Sequence, residues 1–300
     1  MIETRPGRLR RPPLLAIATA LRPYQWVKNL LVLVPAVAAH RLHEPQVLPI
    51  VALAFVAFSL AASGIYVAND VTDAPADRLH PRKRFRPIAA GELAPSAGLV
   101  ISGVCLAGAL LLSIVAVSTA FAATVLVYIA AAVAYSTRLK REPVVDVFTL
   151  AGLYVVRVVA GGVATGIALS SWLLAFAMFL FLSLAFVKRY TELFLMKGAP
   201  LAGRGYMAGD DRWMPAIGIS SGYMAVLVLA LYMNAPEVSR LYGRPTVLWL
   251  LCPILLFWIT RLWFRASREV VHDDPLIEAL RDPLTWVLGM CSLGILYGAM

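Results

Sequence analysis

Between positions 69 and 77 the chain reads Asn69-Asp70-Val71-Thr72-Asp73-Ala74-Pro75-Ala76-Asp77. On a helix, Asn69, Asp73 and Asp77 would share one face, and carboxylates stacked at that spacing repel unless a cation sits among them. Oxygen ligands without Cys or His favour Mg²⁺, which takes one or two carboxylates together with a substrate's phosphates. Asn69, Asp70, Asp73 and Asp77 are therefore the candidate metal ligands, with Asp77 placed less firmly because Pro75 precedes it. The alternative is a solvated acidic loop in which Asp70 or Asp73 caps a helix. Directly behind stands Arg82-Lys83-Arg84-Phe85-Arg86-Pro87. Taken alone, such a run is charge that fixes topology; beside a metal motif, Lys83 and Arg86 become a grip for phosphate, one a point charge and the other a fork.

Three further clusters carry polar chemistry. Tyr135-Ser136-Thr137-Arg138-Leu139-Lys140-Arg141 closes an apolar run, and Tyr135 and Lys140 are its candidate binding residues. The next run holds Asp146 and Arg157, eleven residues apart, which places them on one helix face with Arg157 about 16 Å deeper. An arginine inside an apolar span needs a cavity or a partner, so Arg157 is a candidate for function. Lys188-Arg189-Tyr190-Thr191-Glu192 follows a later span and matches the acidic motif in position. His272-Asp273-Asp274-Pro275 has no credible metal spacing and reads as a turn or cap.

The elements that must position these groups are membrane helices. Of 300 residues, 60% are hydrophobic and 15% charged, with a mean hydropathy of +0.77. That balance excludes a soluble Rossmann enzyme, a disordered regulator and a secreted disulfide scaffold. The cysteines, Cys105, Cys252 and Cys291, lie singly in apolar runs and form no disulfide or zinc framework. Nine spans are expected, at Trp26 to His40, Gln46 to Ala68, Pro95 to Val117, Ala120 to Tyr135, Val144 to Gly166, Ser171 to Val187, Met214 to Met233, Thr246 to Trp263 and Pro283 to Ala299. A cytoplasmic N-terminus leaves only Arg41, Arg240 and Arg244 of the 27 Lys and Arg on the far side, with Arg157 inside a span. The opening segment, residues 1–25, reads as a basic interfacial stretch rather than a cleaved signal peptide. The predicted fold is a single all-α domain over residues 1–300: two four-helix units in parallel repeat and a ninth helix, around a cavity open to the cytoplasm. The net charge of +10 reports topology and an anionic substrate, not a nucleic acid.

Nine spans, the Asn69-xxx-Asp73-xxx-Asp77 motif after the second, Lys83 with Arg86-Pro87-Ile88 behind it, and Tyr135-Ser136 with Lys140 after the fourth together resemble the UbiA superfamily of intramembrane prenyltransferases. Arg22-Pro23-Tyr24-Gln25-Trp26-Val27-Lys28-Asn29, Lys188 to Glu192 and His272 to Pro275 resemble its actinobacterial decaprenyl-phosphate phosphoribosyltransferase branch. That resemblance implies an integral membrane, Mg²⁺-dependent enzyme. It would join phosphoribosyl pyrophosphate to a polyprenyl phosphate at the cytoplasmic face of the plasma membrane, toward a cell-wall arabinose donor, in an assembly that is trimeric among relatives. Asn69, Asp73 and Asp77 would hold metal and pyrophosphate. Lys83, Arg86, Lys188 and Arg189 would bind donor phosphates, and Tyr190 and Glu192 the ribose or its neighbours. Lys28, Lys140 and Arg157 would serve the lipid phosphate or the wall of its cavity. Typical members carry a second acidic motif where this chain has Lys188, Arg189 and Glu192. Two anionic substrates suit that exchange, since each phosphate monoester brings a charge of roughly −1.5 to −2. The alternatives are a UbiA-type enzyme joining a prenyl diphosphate to an aromatic acceptor, and a transporter.

Overall fold

In a computed structural model, which describes residues 11–79, 82–195, 204–207, 209–268 and 274–300, every regular element is helical. Among the described residues, seven helical segments are long and apolar enough to cross a bilayer. Of the other two expected spans, Pro283–Ala299 is an apolar helix of 17 residues. The remaining one, near Trp26 to His40, is an 11-residue 3₁₀ helix, Pro23–Leu33, that runs into the five-residue helix Val34–Ala38. The 3₁₀ rise of about 2.0 Å per residue makes that segment longer than an α-helix of the same residue count.

The chain divides into two compact units, residues 1–133 with 163–166, and residues 134–162 with 167–300. The first contains α1 (Pro13–Leu21), α2 (Val34–Ala38), α3 (Val47–Leu79), α4 (Pro95–Ala116) and most of α5 (Thr119–Thr137). Its centre is α3, against which α4, α1 and the 3₁₀ segment pack. Small residues allow the backbones to approach, and hydroxyls join them, as expected where apolar burial alone gives helices no reason to associate. Ser102 donates to the Gly64 carbonyl at 2.8 Å, Trp26 Nε1 to Ser63 at 2.9 Å and Asn29 to Ser59 at 3.1 Å. Phe58 sits beside Phe121 and Tyr128, with ring centroids at 6.0 and 5.1 Å.

The second unit contains most of α6 (Val145–Thr165), α7 (Ser171–Leu195), α8 (Met214–Met233), α9 (Pro236–Leu241), α10 (Leu251–Ser267), α11 (Pro275–Arg281) and α12 (Pro283–Ala299). Here α7 packs along α8, and α8 against α10. A Cβ added at Gly218 would strike the Trp263 ring and the Phe186 side chain. Gly218→Val should therefore lower the thermal unfolding midpoint in detergent, corresponding to about 1–3 kcal/mol; an unchanged midpoint would contradict this packing. A polar clasp closes the end of the unit, where Arg261 bonds Asp282 and Arg265 reaches Glu278 at 3.1 Å. Asp282 also caps α12, accepting from the Thr285 N–H at 3.2 Å. Burial would raise its pKa, but hydrogen bonds from Arg261 and Thr285 outweigh it and hold the carboxyl below the usual range.

Two boundaries differ from expectation in a way that matters for the site. The second expected span was to end at Ala68, with a loop beyond, but α3 is one helix of 33 residues that runs through Asn69, Asp73 and Asp77 with Pro75 inside it. At 1.5 Å per residue it is about 50 Å long, well beyond the roughly 30 Å hydrocarbon core. Likewise α7 continues past Val187 to Leu195, placing Lys188, Arg189, Tyr190 and Glu192 on a helix. Hydropathy marks where apolar residues stop, while helical hydrogen bonding carries on into the polar region.

Candidate active site

The acidic motif lies on the extension of α3, where helical pitch sorts its members. At 100° per residue, Asp70 and Asp77 differ by about 20° around the axis, whereas Asn69 and Asp77 differ by about 80°. The buried stripe accordingly contains Asp70, Ala74 and Asp77, and Asn69 and Asp73 are half-buried beside it. The cation that the stacked carboxylates call for is supplied by the chain. Arg86 Nη1 lies 2.7 Å from Asp77 Oδ2 and 3.1 Å from Asp70 Oδ1, and Arg22 Nη2 lies 2.5 Å from the same Asp70 oxygen. Arg86 reaches back because the segment after the short helix Lys83–Phe85 is anchored by Ile88, buried with Ala20, Val67, Ala74 and Leu93. Lys83 is exposed on that short helix, and Lys28 is nearly buried in the 3₁₀ segment beside fully buried Asn29.

These placements leave an oxygen donor set suited to a hard cation. Asp73 makes no hydrogen bond or ion pair among the described residues, and Asn69 sits one turn before it. Asp77 presents one oxygen to Arg86. The described residues contain no cluster of three His, Cys, Asp or Glu able to cage a metal by themselves. A Mg²⁺ ion needs no such cage, since it keeps waters and takes substrate phosphates as ligands. Asn69, Asp73 and Asp77 fit that requirement, whereas Asp70 is committed to Arg22 and Arg86.

The second unit holds a different constellation. Asp146, in the first turn of α6, and Arg189, on the α7 extension, are both fully buried. Arg189 Nε approaches Asp146 Oδ2 at 2.6 Å, its Nη2 donates to Asp146 Oδ1 at 2.9 Å, and its Nη1 bonds Glu192. Tyr135, at the end of α5, donates to Asp146 at 2.8 Å. Arg204 bonds both Tyr135 and Asp146 at 3.1 Å. Two cations thus meet two carboxylates, with the phenol and the N-terminal dipole of α6 adding support for Asp146. Tyr206 lies under the Arg189 guanidinium, 5.8 Å from ring centroid to Cζ, and accepts the Val144 N–H at 3.2 Å. Burial and the neighbouring Asp146 push its hydroxyl up to about 12, so it remains a neutral phenol at any working pH. Gly205 is required between them, because a side chain there would collide with the Arg141 carbonyl.

Lys188 keeps 27% of its side chain exposed while its ammonium lies 3.2 Å from Asp274. Tyr190 is buried, stacked on Phe194 and beside Trp263. Lys140 is half-buried in the short helix Leu139–Arg141. Arg157 is buried in α6, where it bonds the Leu153 carbonyl and lies 5.8 Å from the Tyr154 ring.

The structure therefore gathers Tyr135, Arg189 and Glu192 in one cluster and Asp70, Asp77 and Arg86 in another. It gives Arg189 a different setting from the one its position in the motif implied: the guanidinium is enclosed by carboxylates and presents no free edge to a ligand. Asp146 finds its cations across helices in Arg189 and Arg204, while Arg157, three turns further along α6, bonds the Leu153 carbonyl of its own helix. Asp146, Arg204, Tyr206 and Arg22 are the polar partners that spacing along the sequence does not reveal. Of His272-Asp273-Asp274-Pro275, the first two residues lie outside the described residues, while Asp274 caps α11 as expected.

The sequence matches the model of the UbiA prenyltransferase family over residues 30–274. Nodulation protein NoeC of Azorhizobium caulinodans is 36% identical over 95% of this chain and 92% of its own length. The uncharacterized protein y4nM of Sinorhizobium fredii is 34% identical over 90% of this chain, which spans about half (53%) of that relative's length. Decaprenyl-phosphate phosphoribosyltransferase of Mycobacterium tuberculosis is 45% identical over 187 residues, 60% of each chain. Among solved structures, a UbiA homolog from Archaeoglobus fulgidus bound to GPP and Mg²⁺ superposes with a TM-score of 0.71 at 20% identity, covering 94% of this chain and 98% of the other.

Proposed function

The chain belongs to the UbiA prenyltransferase family of multi-pass membrane proteins, and from that premise we propose that it transfers the 5-phosphoribosyl group of phosphoribosyl pyrophosphate to a polyprenyl phosphate, decaprenyl phosphate being the reference acceptor. The observation that carries this reading is the α7 extension, which keeps Lys188 partly exposed beside the ion-paired Arg189 and Glu192, where the resemblance leads one to expect a second carboxylate set. Partial identity to an enzyme named for that reaction supports it. We place the chain in the plasma membrane as nine crossings with the polar motifs cytoplasmic, around a cytoplasm-facing cavity in a single domain; the distribution of Lys and Arg supports that orientation. Assembly as a trimer rests on the resemblance alone.

In this reading the leaving pyrophosphate belongs to Asn69, Asp73 and Asp77, which would hold Mg²⁺; the ion supplies charge neutralisation of the departing group. Lys83, which is exposed, and Lys188, whose side chain is 27% exposed, bind donor phosphates through their ammonium groups. Arg86 keeps Asp70 and Asp77 in place and Arg189 keeps Asp146 and Glu192 in place, each acting through the carboxylates it bonds. Tyr190 and Glu192 are assigned to the ribose side, and Lys28, Lys140 and Arg157 to the lipid phosphate or its cavity wall. The acceptor needs no protein base, because a phosphate monoester with a second pKa near 6 is already ionised at neutral pH. Rate then comes from holding the acceptor in line and from stabilising the charge that leaves. A single displacement inverts the anomeric carbon and gives a β-linked product from the α-linked donor.

The test is thin-layer separation of the lipid products after purified protein is incubated with labelled phosphoribosyl pyrophosphate and decaprenyl phosphate. A labelled, β-linked polyprenyl phosphoribose is the expected result. An α-linked product would overturn the single displacement. Pyrophosphate release from a prenyl diphosphate in the presence of an aromatic acceptor, with no transfer from the phosphoribosyl donor, would replace the reading with aromatic prenylation. Passage of an unaltered substrate across vesicles would replace it with transport.

A further inference from the structure

The Asp274 carboxylate ties three elements of the second unit together. Its oxygens lie 3.2 Å from the Lys188 ammonium on α7, 3.3 Å from the Tyr154 hydroxyl on α6, and 3.3 Å from the Leu276 N–H that opens α11. Its side chain is 5% exposed, whereas Lys188 keeps 27%. Tyr154 is fixed in turn by stacking on Phe181 at 5.1 Å. A helix cap alone requires one acceptor oxygen and no ammonium, and Asn serves as well as Asp. Here an almost fully buried carboxylate is paired with a lysine whose side chain stays partly exposed, an expensive arrangement unless the charge of the pair is used.

We propose that Asp274 is a positioning residue for Lys188: it takes one of the three ammonium hydrogens, fixes the long side chain, and leaves the other two directed at the donor's phosphate. A free lysine must lose rotamer entropy on binding, and a lysine already tied to a buried carboxylate has lost part of it beforehand. Asp274 thereby sets affinity for the phosphorylated donor without touching it, and couples the last cytoplasmic segment to the α7 motif. This inference rests on the phosphoribosyl-transfer reading.

Asp274→Asn separates the roles, since Asn keeps the cap and a hydrogen bond to Tyr154 but loses the charge that holds Lys188. Steady-state kinetics of the full-length protein should show the KM for phosphoribosyl pyrophosphate raised about tenfold, with kcat within about twofold, an unchanged KM for decaprenyl phosphate and a parent-like unfolding midpoint. Asp274→Glu should recover part of the affinity. The Asp274→Asn, Lys188→Ala double variant should be no worse than Lys188→Ala alone, because both remove one interaction. An unaltered donor KM in Asp274→Asn, a fall in kcat with no change in KM, or losses that add in the double variant would overturn the inference while leaving the function intact. A parent protein that makes no phosphoribosyl lipid would overturn the function and this inference with it.

Discussion

Arg189→Ala is expected to destabilise the protein by about 3–5 kcal/mol, because it strands a buried carboxylate without the partner that compensates its desolvation. Arg189 and Asp146 are both inaccessible, so water cannot take over. Arg204, 3.1 Å from the same carboxylate, moderates the loss but also needs Glu192 and Tyr135 held where Arg189 now holds them. A large fall in the thermal midpoint in detergent, with poor recovery of monodisperse protein, is the readout. Arg189→Lys keeps the charge without the planar fork and should fall between parent and alanine variant. Replacing the pair together, Asp146→Leu with Arg189→Met, should cost less stability than Arg189→Ala, since it leaves no charge uncompensated, yet turnover should still be lost as Tyr135 and Glu192 lose their anchor. A parent-like midpoint in Arg189→Ala would show that the buried pair is not what holds α6 to α7.

Asp73→Asn is expected to reduce turnover roughly a hundredfold or more, the scale seen when one group that stabilises departing charge is removed, with no change in unfolding midpoint. Asp73 is half-exposed and outside every ion pair of the acidic cluster, so the variant removes the proposed metal ligand and little else. Asp77→Asn should lose as much activity and some stability too, because it weakens the grip of Arg86 that also holds Asp70. EDTA should silence the parent and excess Mg²⁺ restore it. Full activity in Asp73→Asn would remove that residue from the metal site, and activity in EDTA would remove the metal from the reaction.

The contrast between these variants reflects two kinds of information. Composition and hydropathy were enough to place the chain in a bilayer and to locate most of its helices, because the cost of exposing backbone and charge to lipid leaves few ways to arrange 60% apolar residues. Spacing was enough to identify the Asn69, Asp73 and Asp77 motif, since those groups lie on one continuous helix and helical pitch is a local property. It also marked Lys188, Arg189 and Glu192 as unusual in type. Where the two long helices end was not legible, because apolarity stops before the hydrogen-bonded backbone does. Nor were the partners: Arg86 with Asp70 and Asp77, Asp146 with Arg189 and Arg204, and Asp274 with Lys188 are separated by nine to 86 residues. Charged groups pair with whatever packing brings within a few ångströms, and chain order carries almost no information about that distance. Local spacing was sufficient to put carboxylates along one helix and cations along another. Packing across the fold settled which of those cations stay partly exposed, as Lys188 does, and which are buried in ion pairs, as Arg189 is.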